Sequence, residues 1–455
     1  MGAGWSGIRA AQTLQDADIN NFLVLEANDY VGGRSKSVNS DGSTNQADKV
    51  NDLSNVPIEM GSEWLYYDGA VYSEMEDYLI KNQLLDNIDL GYKDDLWLSA
   101  YTQPLTYIQS IDADTGNITI ESISDEEVLN LRQQVWKRFL NFKDNLTGDQ
   151  SYYTAAEKYK VETNLTELQT NYLDMVIDVA EIDYIGESDE LNIKSHSHNG
   201  KAHPTHYMGY RGVGYGNVAS SVASPIMPKV CFNSKVTHVN QEDENDIVVK
   251  YVDENGETKE VTTRAVLSTV SLGVLKAGTI NFTPSLPQRK QEVINGMGFG
   301  SMNKVVLMWD NEADIVWPKD KLWFNLITPT FDSSGKFTTW YNPYIFKTAP
   351  VLVGWIGGDE AKYMENQSDE EVINDALTNL RQMFPNITKP DRFLISRWGK
   401  EEHILGTYAF ATVGRSFSND MRILGERVGN VWFAGEATAG KNWYGTTAGK
   451  SLNLF

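Results

Sequence analysis

The sequence predicts an α/β protein: a Rossmann-like nucleotide-binding unit joined to a second, α+β domain. Three observations predict it. Gly2, Gly4 and Gly7 stand in G-x-G-x-x-G spacing at the head of a helical run, and an apolar strand closed by Glu26 follows. Another apolar stretch runs into Gly435-Glu436 near the far end of the chain. Between the two, the strand–helix alternation breaks off, as it does where a further domain is inserted.

The first unit is predicted as a helix from about Ile8 to Leu14 and a strand from Phe22 to Leu25. Gly2 makes the tight turn, Gly4 lets backbone approach a pyrophosphate, and Gly7 lets the helix pack on its strand. The helix N-terminus offers unpaired N–H groups and partial positive charge to phosphates. Glu26 follows the glycines by about the ~20 residues expected of a ribose-binding acid. Its carboxylate repels a 2′-phosphate, which favours FAD or NAD over NADP. Only Met1 precedes Gly2, so the central strand of this sheet is expected to be missing: either the chain is clipped at its start or the nucleotide site is incomplete. Gly32, Gly33 and Arg34 follow, a pair of glycines for close backbone approach and an arginine for phosphate oxygens.

Residues 38–57 read as a polar insertion or loop, and Glu59-Met60-Gly61-Ser62-Glu63-Trp64 returns to order with a glycine where backbone can approach a flat ring. A helix is expected over Val71–Leu85, short strands over 92–121 with a turn at Asp114-Thr115-Gly116, and amphipathic helices over 124–147 and 165–180. His196, His198, His203 and His206 crowd one tract that could ligate a metal. Without a cysteine nearby it reads instead as a polar loop beside a cleft.

From Gly209 a new section begins. Gly212, Gly214 and Gly216 precede a helix from about Asn217, and strands follow at Lys235–Val239, Ile247–Val252, Thr258–Thr262 and Ala265–Thr269, with a hairpin at Asn255-Gly256. Lys304 opens the strand Val305–Trp309. A lysine among apolar strand residues faces water at an edge or is buried for a function, and pattern alone favours the edge. Aromatic-rich strands fill 322–356, and Ser368 caps a helix reaching Phe384, with Asp369, Glu370 and Glu371 in its first turn. The last section holds Trp398, Tyr408 and the strand into Gly435-Glu436, and the chain stops at Phe455 inside an expected helix from about Thr446.

At 455 residues the chain has room for two or three domains. No run approaches the ~18–20 apolar residues of a membrane span. No signal peptide is visible, although a clipped start would have lost one. A net charge of −23 argues against nucleic acid and suits cationic small molecules, or simply solubility. Cys231 is the sole cysteine, so no internal disulfide forms.

Taken together, GAGWSG, VLEANDYVGGR, EMGSEW, VSLGVL, FTPSLP, GMGFGSMNKVVLMW, RWGKEEHILGTY and NVWFAGEATAGKNWYGTTAG resemble the flavin-containing amine oxidases, nearest the polyamine oxidase branch. The resemblance implies a discontinuous FAD-binding domain over 1–75, 205–298 and 396–455, and a substrate-binding domain over 76–204 and 299–395. It places Gly2, Gly4, Gly7, Gly33 and Arg34 by the phosphates, Glu26 at the adenosine ribose and Val236 at the adenine end. Gly61, Ser62 and Trp64 would run past the flavin, Glu436 would meet its ribityl–pyrophosphate region, and Trp398, Gly435 and Thr446 would be further cofactor contacts. Lys304 matches the family lysine that holds a water near flavin N5, which reverses the pattern-only placement, and Tyr408 matches one wall of an aromatic cage.

Three departures accompany the match. The first strand is absent; Tyr66 stands where several plant-type members carry an acid; Thr446 stands where a second cage aromatic is common, with Trp443 or Tyr444 as a substitute. No cysteine for covalent attachment occurs in the terminal section, so FAD is expected to be held non-covalently. The implied reaction oxidises a small cationic amine and reduces O2 to hydrogen peroxide. The rival expectations are a flavin desaturase and a flavin-binding scaffold without turnover. No tower-like helical insertion points to the histone demethylase relatives.

Overall fold

The computed structural model describes residues 1–39, 41–43, 57–67, 104–112, 114–194, 203–207, 214–243, 245–329, 337–344 and 349–438. The expected helix at 71–85 and the position Thr446 lie outside them.

Helix α1 (Trp5–Asp16) begins three residues before the expected start, because its first turn is hidden among the fingerprint residues. Gly7 lies inside it, and a Cβ there would stand 1.9 Å from the Gly2 carbonyl oxygen. Strand β1 (Val24–Leu25) is shorter than expected and pairs in parallel with Val230–Cys231. Strands β2 (Ser37–Val38) and β3 (Ile58–Glu59) form a small antiparallel pair, and β4 (Trp64–Tyr67) follows.

The next block opens with the hairpin β5 (Leu105–Ile111) and β6 (Ile118–Ser122). Asp112 accepts the Asp114 and Thr115 N–H groups at its turn, and Gly116 takes the left-handed φ of +69°. The expected helix over 124–147 is α2 (Asp125–Leu131), one π-helical turn (Arg132–Trp136) and α3 (Lys137–Asn145). Helix α4 (Tyr152–Thr163) was not foreseen: its buried face is Tyr152, Ala155, Ala156 and Tyr159, correctly spaced but only weakly apolar. Helix α5 (Glu167–Tyr184) carries a Thr166–Gln169 capping box.

Part of the histidine tract is a strand, not a loop: β7 (His203–Tyr207) pairs antiparallel with β4. Helix α6 (Tyr215–Ala223) packs with α1. Next come β8 (Val230–Cys231), β9 (Lys235–Asn240), β10 (Ile247–Val252), β11 (Thr258–Thr263), β12 (Val266–Ser268), helix α7 (Leu272–Ala277), β13 (Asn281–Thr283), helix α8 (Gln288–Gly296) and β14 (Gly298–Gly300). Strands 11-10-9-13 form one sheet. β12 pairs in parallel with β21 (Val431–Phe433), which carries the chain to Gly435. The β1–β8 and β12–β21 pairs flank Met1 and Gly2: Gly2 N–H donates to the Leu25 carbonyl at 2.8 Å, and Thr269 N–H donates to that of Met1 at 2.9 Å.

A seven-stranded sheet dominates the remainder, in the order 19-15-18-17-16-5-6. It contains β15 (Asn303–Met308), β16 (Trp323–Ile327), β17 (Thr339–Tyr341), β18 (Val351–Ile356) and β19 (Arg392–Ile395). Helix α9 (Gly358–Met364) follows β18, and α10 (Asp369–Met383) starts at a Ser368–Glu371 capping box. Val372, Ala376 and Leu380 of α10 pack on Val305, Leu307 and Leu352. Alternation along β15 turns Val306 and Met308 to the other face, against Val38, Ile58, Met60 and Trp398. Lys304 shares that second face. Near the end, β20 (Tyr408–Phe410) pairs with β14, and α11 (Phe417–Gly425) precedes β21.

Candidate functional site

One cleft gathers residues that lie far apart in sequence. It is lined by Gly2, Gly4, Glu26, Gly33, Arg34, Val236, Gly435 and Glu436, and it encloses about 1190 Å³ of space, part of it open to solvent. Helix α1 points its first turn at this cleft, and N-cap Gly4 supplies no side-chain cap. Trp5 Nε1 donates to Ser35 Oγ at 2.9 Å, which ties this turn to the Gly32–Arg34 loop. Glu26 is buried at the end of β1. Its Oε2 accepts Ala3 N–H at 2.6 Å and its Oε1 accepts Asn28 N–H at 2.8 Å. A carboxylate has about four acceptor positions, so it can still take a ribose hydroxyl.

Arg34 spans the cleft floor. Its guanidinium donates to the Thr407 carbonyl and pairs with Glu436 at 3.1 Å, while the other Glu436 oxygen accepts Ala409 N–H at 2.9 Å. The expected phosphate arginine and the expected ribityl-arm glutamate are therefore each other's partners. Together they join the first and last segments of the chain.

Beyond Arg34 the backbone turns under Trp398. A Cβ on Gly61 would stand 1.8 Å from the Arg34 carbonyl oxygen, so only glycine fits. Ser62 N–H donates to that same oxygen at 3.2 Å. Trp398 is buried and its indole donates to the Met60 carbonyl at 3.0 Å. Asn303 fastens this region from below, accepting Trp398 N–H at 2.9 Å and donating to Glu365 at 2.8 Å.

Lys304 corrects the pattern-only placement. β15 lies between β19 and β18, and all six of its residues are buried. The Lys304 ammonium donates to the Glu59 carbonyl at 3.1 Å, the Gly61 carbonyl at 2.8 Å and Glu63 Oε2 at 2.6 Å. The Trp355 ring centroid lies 5.5 Å from Nζ. Glu59, beside it, accepts Tyr215 N–H at the start of α6, and burial pushes its carboxyl up to about 8.

Tyr408 stands on β20, and its hydroxyl donates to the Asp183 carbonyl at the end of α5 at 2.5 Å. Asp183 keeps accessible surface, yet the surrounding protein pushes its carboxyl up to about 6. Residue-type reasoning assigned no role to Glu63 or Asp183. It also left out the cleft wall of Ser234, Thr269, Ser271 and His403, since no fixed spacing links any of them to the fingerprint.

The model of the family described as flavin containing amine oxidoreductase matches residues 5–451. The chain belongs to this family. Polyamine oxidase 2 of Arabidopsis thaliana is 29% identical over 442 residues, covering 96% of this chain and 82% of the relative. A lysine-specific histone demethylase 1 homolog of the same plant is 37% identical over 191 residues, but that covers 40% of this chain and 22% of the relative. Among solved structures, a putrescine oxidase variant redesigned in cofactor binding superposes with a TM-score of 0.67 at 16% identity, over all of this chain and 95% of that one. This establishes the α/β flavoenzyme fold.

FAD is the cofactor, and the residues present fit it. A Cβ on Gly4 would meet nothing within 4 Å, so the turn stands open to the cleft. Ser268 Oγ is buried without a partner among the described residues, in a small pocket behind Gly435. No described helix is long and apolar enough to cross a membrane.

Proposed function

We propose that this enzyme oxidises a C–N bond of a polyamine-like amine, giving an imine that hydrolyses to an aldehyde and a smaller amine, with O2 reduced to hydrogen peroxide. When bound, FAD supplies the hydride acceptor at N5 and returns the electrons to O2. The protein supplies position and charge. Gly2, Gly4, Gly7 and the α1 N-terminus would hold the pyrophosphate, Glu26 the adenosine ribose, and Val236 the adenine end. Gly33, Arg34, Gly435 and Glu436 would close around the middle of the molecule. Gly61, Ser62, Trp64 and Trp398 would line the ring, and Thr446 is proposed as a further cofactor contact.

The observation that carries this reading is the buried Lys304, bonded to the Gly61 carbonyl on the stretch that continues the cleft past Arg34. Tyr408 would form one wall of the amine's recess, and Asp183 beside it offers a carboxylate to a distant ammonium. The net charge of −23 favours cationic substrates. The domain division 1–75, 205–298 and 396–455 against 76–204 and 299–395 is proposed on the same basis. Its support is a core uniting Leu25, Val236, Val293, Ala409 and Val431, separate from the core around Val305 and Leu380.

The test is the visible spectrum of the purified protein with FAD, before and after anaerobic addition of spermine. The expected result is bleaching of the flavin bands, with their return and peroxide formation on admitting air. Bands that persist with spermine and every other polyamine tried would overturn the substrate assignment.

A further inference from the structure

We propose that Glu63 is the positioning residue of Lys304: its carboxylate pairs with the ammonium and fixes it against the Gly61 carbonyl. The inference rests on the reading that Lys304 works beside the FAD ring, and it adds a residue that reading does not use.

An ammonium has three N–H donors. In Lys304 all three are engaged, two by main-chain carbonyls and one by Glu63. Carbonyls orient a cation but do not neutralise it. Both side chains of the Lys304–Glu63 pair are 2% exposed, so solvent does not neutralise it either. Among the described residues, the titratable groups that reach Lys304 from the elements packed on it are Glu59 on β3 and Glu63 just beyond. β18 presents the Trp355 ring, and the segment after β19 presents the Ser396 hydroxyl, which accepts the lysine's main-chain N–H at 2.7 Å. Glu59 is buried with its carboxyl raised, and its oxygens are turned to Ser37 and Tyr215, so only its main-chain carbonyl meets Nζ. Glu63 remains as the counter-charge.

A lysine held this way has its ammonium fixed in place by three acceptors. Fixed charges in dry sites stabilise negative charge developing nearby without reorganisation. A water that approaches Nζ must displace an acceptor, and Glu63 is the one of the three that is a side chain. Glu63 thereby sets the position of the Lys304 ammonium.

The test uses the FAD-loaded wild type, Glu63→Gln, Lys304→Met and the double variant. Thermal unfolding is measured for all four proteins. The pH dependence of anaerobic reduction by spermine and of reoxidation by O2 is measured for the wild type and both single variants. Each single variant should lower the melting temperature by roughly 5 °C, and the double variant should regain part of that loss, since no unpaired charge stays buried. In Glu63→Gln the alkaline limb of the pH–rate profile should move down by about one pH unit, because losing the counter-charge favours the neutral amine. Glu63→Asp should restore most of that shift. Additive losses in the double variant would overturn the pairing. A profile changed by Lys304→Met but not by Glu63→Gln would overturn the positioning role. Coupled stability with neither profile changed would overturn the placement of Lys304 beside the flavin, and the inference with it.

Discussion

Lys304 and Lys290 are 1% and 2% exposed, and each donates to two main-chain carbonyls beside an aromatic ring, yet of the two Lys304 alone also meets a carboxylate at hydrogen-bond distance. Lys290 on α8 donates to the Ile423 and Leu424 carbonyls at 3.0 and 2.5 Å, at the end of α11, and lies 4.0 Å from the centroid of Phe433. It closes a helix end with its charge at the negative pole, a common structural use of lysine. Burial pushes it down to about 8, with Glu426 opposing the shift from a distance. Lys304 has a carboxylate at 2.6 Å and closes no helix. Burial alone therefore does not distinguish the two lysines. A dedicated counter-charge, placed where backbone approaches a cofactor cleft, is the better sign.

The largest effect should come from breaking the pair at Lys304. Lys304→Met leaves Glu63 buried without its cation, a change of the kind that costs about 3–5 kcal/mol. Urea unfolding at neutral pH would show the loss as a lower midpoint with an unchanged slope. The same protein should be slowed in reduction by amine, in reoxidation by O2, or in both. A variant of unchanged midpoint and unchanged rates would place Lys304 with Lys290, as a packing residue.

A smaller effect sharpens the electrostatic side of the comparison. The Glu59 carboxyl is raised from 4.5 to about 8, chiefly by burial. A folded-state value above the unfolded one means that the native state binds the extra proton between these limits. The stability it contributes is complete below about pH 4.5 and is lost as pH rises through about 8. Glu59→Gln should remove this dependence while keeping acceptor and donor atoms for Tyr215 N–H and Ser37. Its stability should fall less than that of the wild type between pH 5 and 9, as read from melting temperatures across that range. A wild type and variant with parallel profiles would show that Glu59 is ionised throughout.

What the sequence disclosed followed the range of the forces involved. The α1 fingerprint, the Asn255-Gly256 hairpin and the Ser368 cap with its acidic first turn are local, and each could be seen within a few residues. The partners that define the site are not local. Glu63 meets Lys304 across 241 positions, and Arg34 meets Glu436 across 402. Nothing in composition or period links such pairs. Lys304 itself was ambiguous because a short, largely apolar strand reads the same at an edge and in the middle of a sheet. Its neighbours β18 and β19 settle the matter, and they lie about 50 and 90 residues downstream. Helix α4 escaped because alanine and tyrosine carry its buried face, and alanine marks an apolar stripe weakly.

The smallest effect should be seen at Lys290, and it is the control for the whole comparison. Lys290→Met keeps the length and apolar stem of the side chain while removing the charge and two helix-end hydrogen bonds. The wild-type group is depressed from 10.5 to about 8, so the native state holds fewer protons than the unfolded chain between those values. Its contribution to stability therefore rises with pH across that window and is lost as pH falls through about 8. Near neutral pH, loss of the caps and relief of a desolvated charge oppose each other, and the net change should stay within about 1 kcal/mol. The variant's advantage should shrink as pH rises from 8 to 10. Flavin reduction and reoxidation should match the wild type, since Lys290 touches neither the cleft nor the Lys304 cluster. A loss at Lys290→Met as large as that at Lys304→Met would show that burial, and not the carboxylate partner, determines what a lysine is worth in this fold.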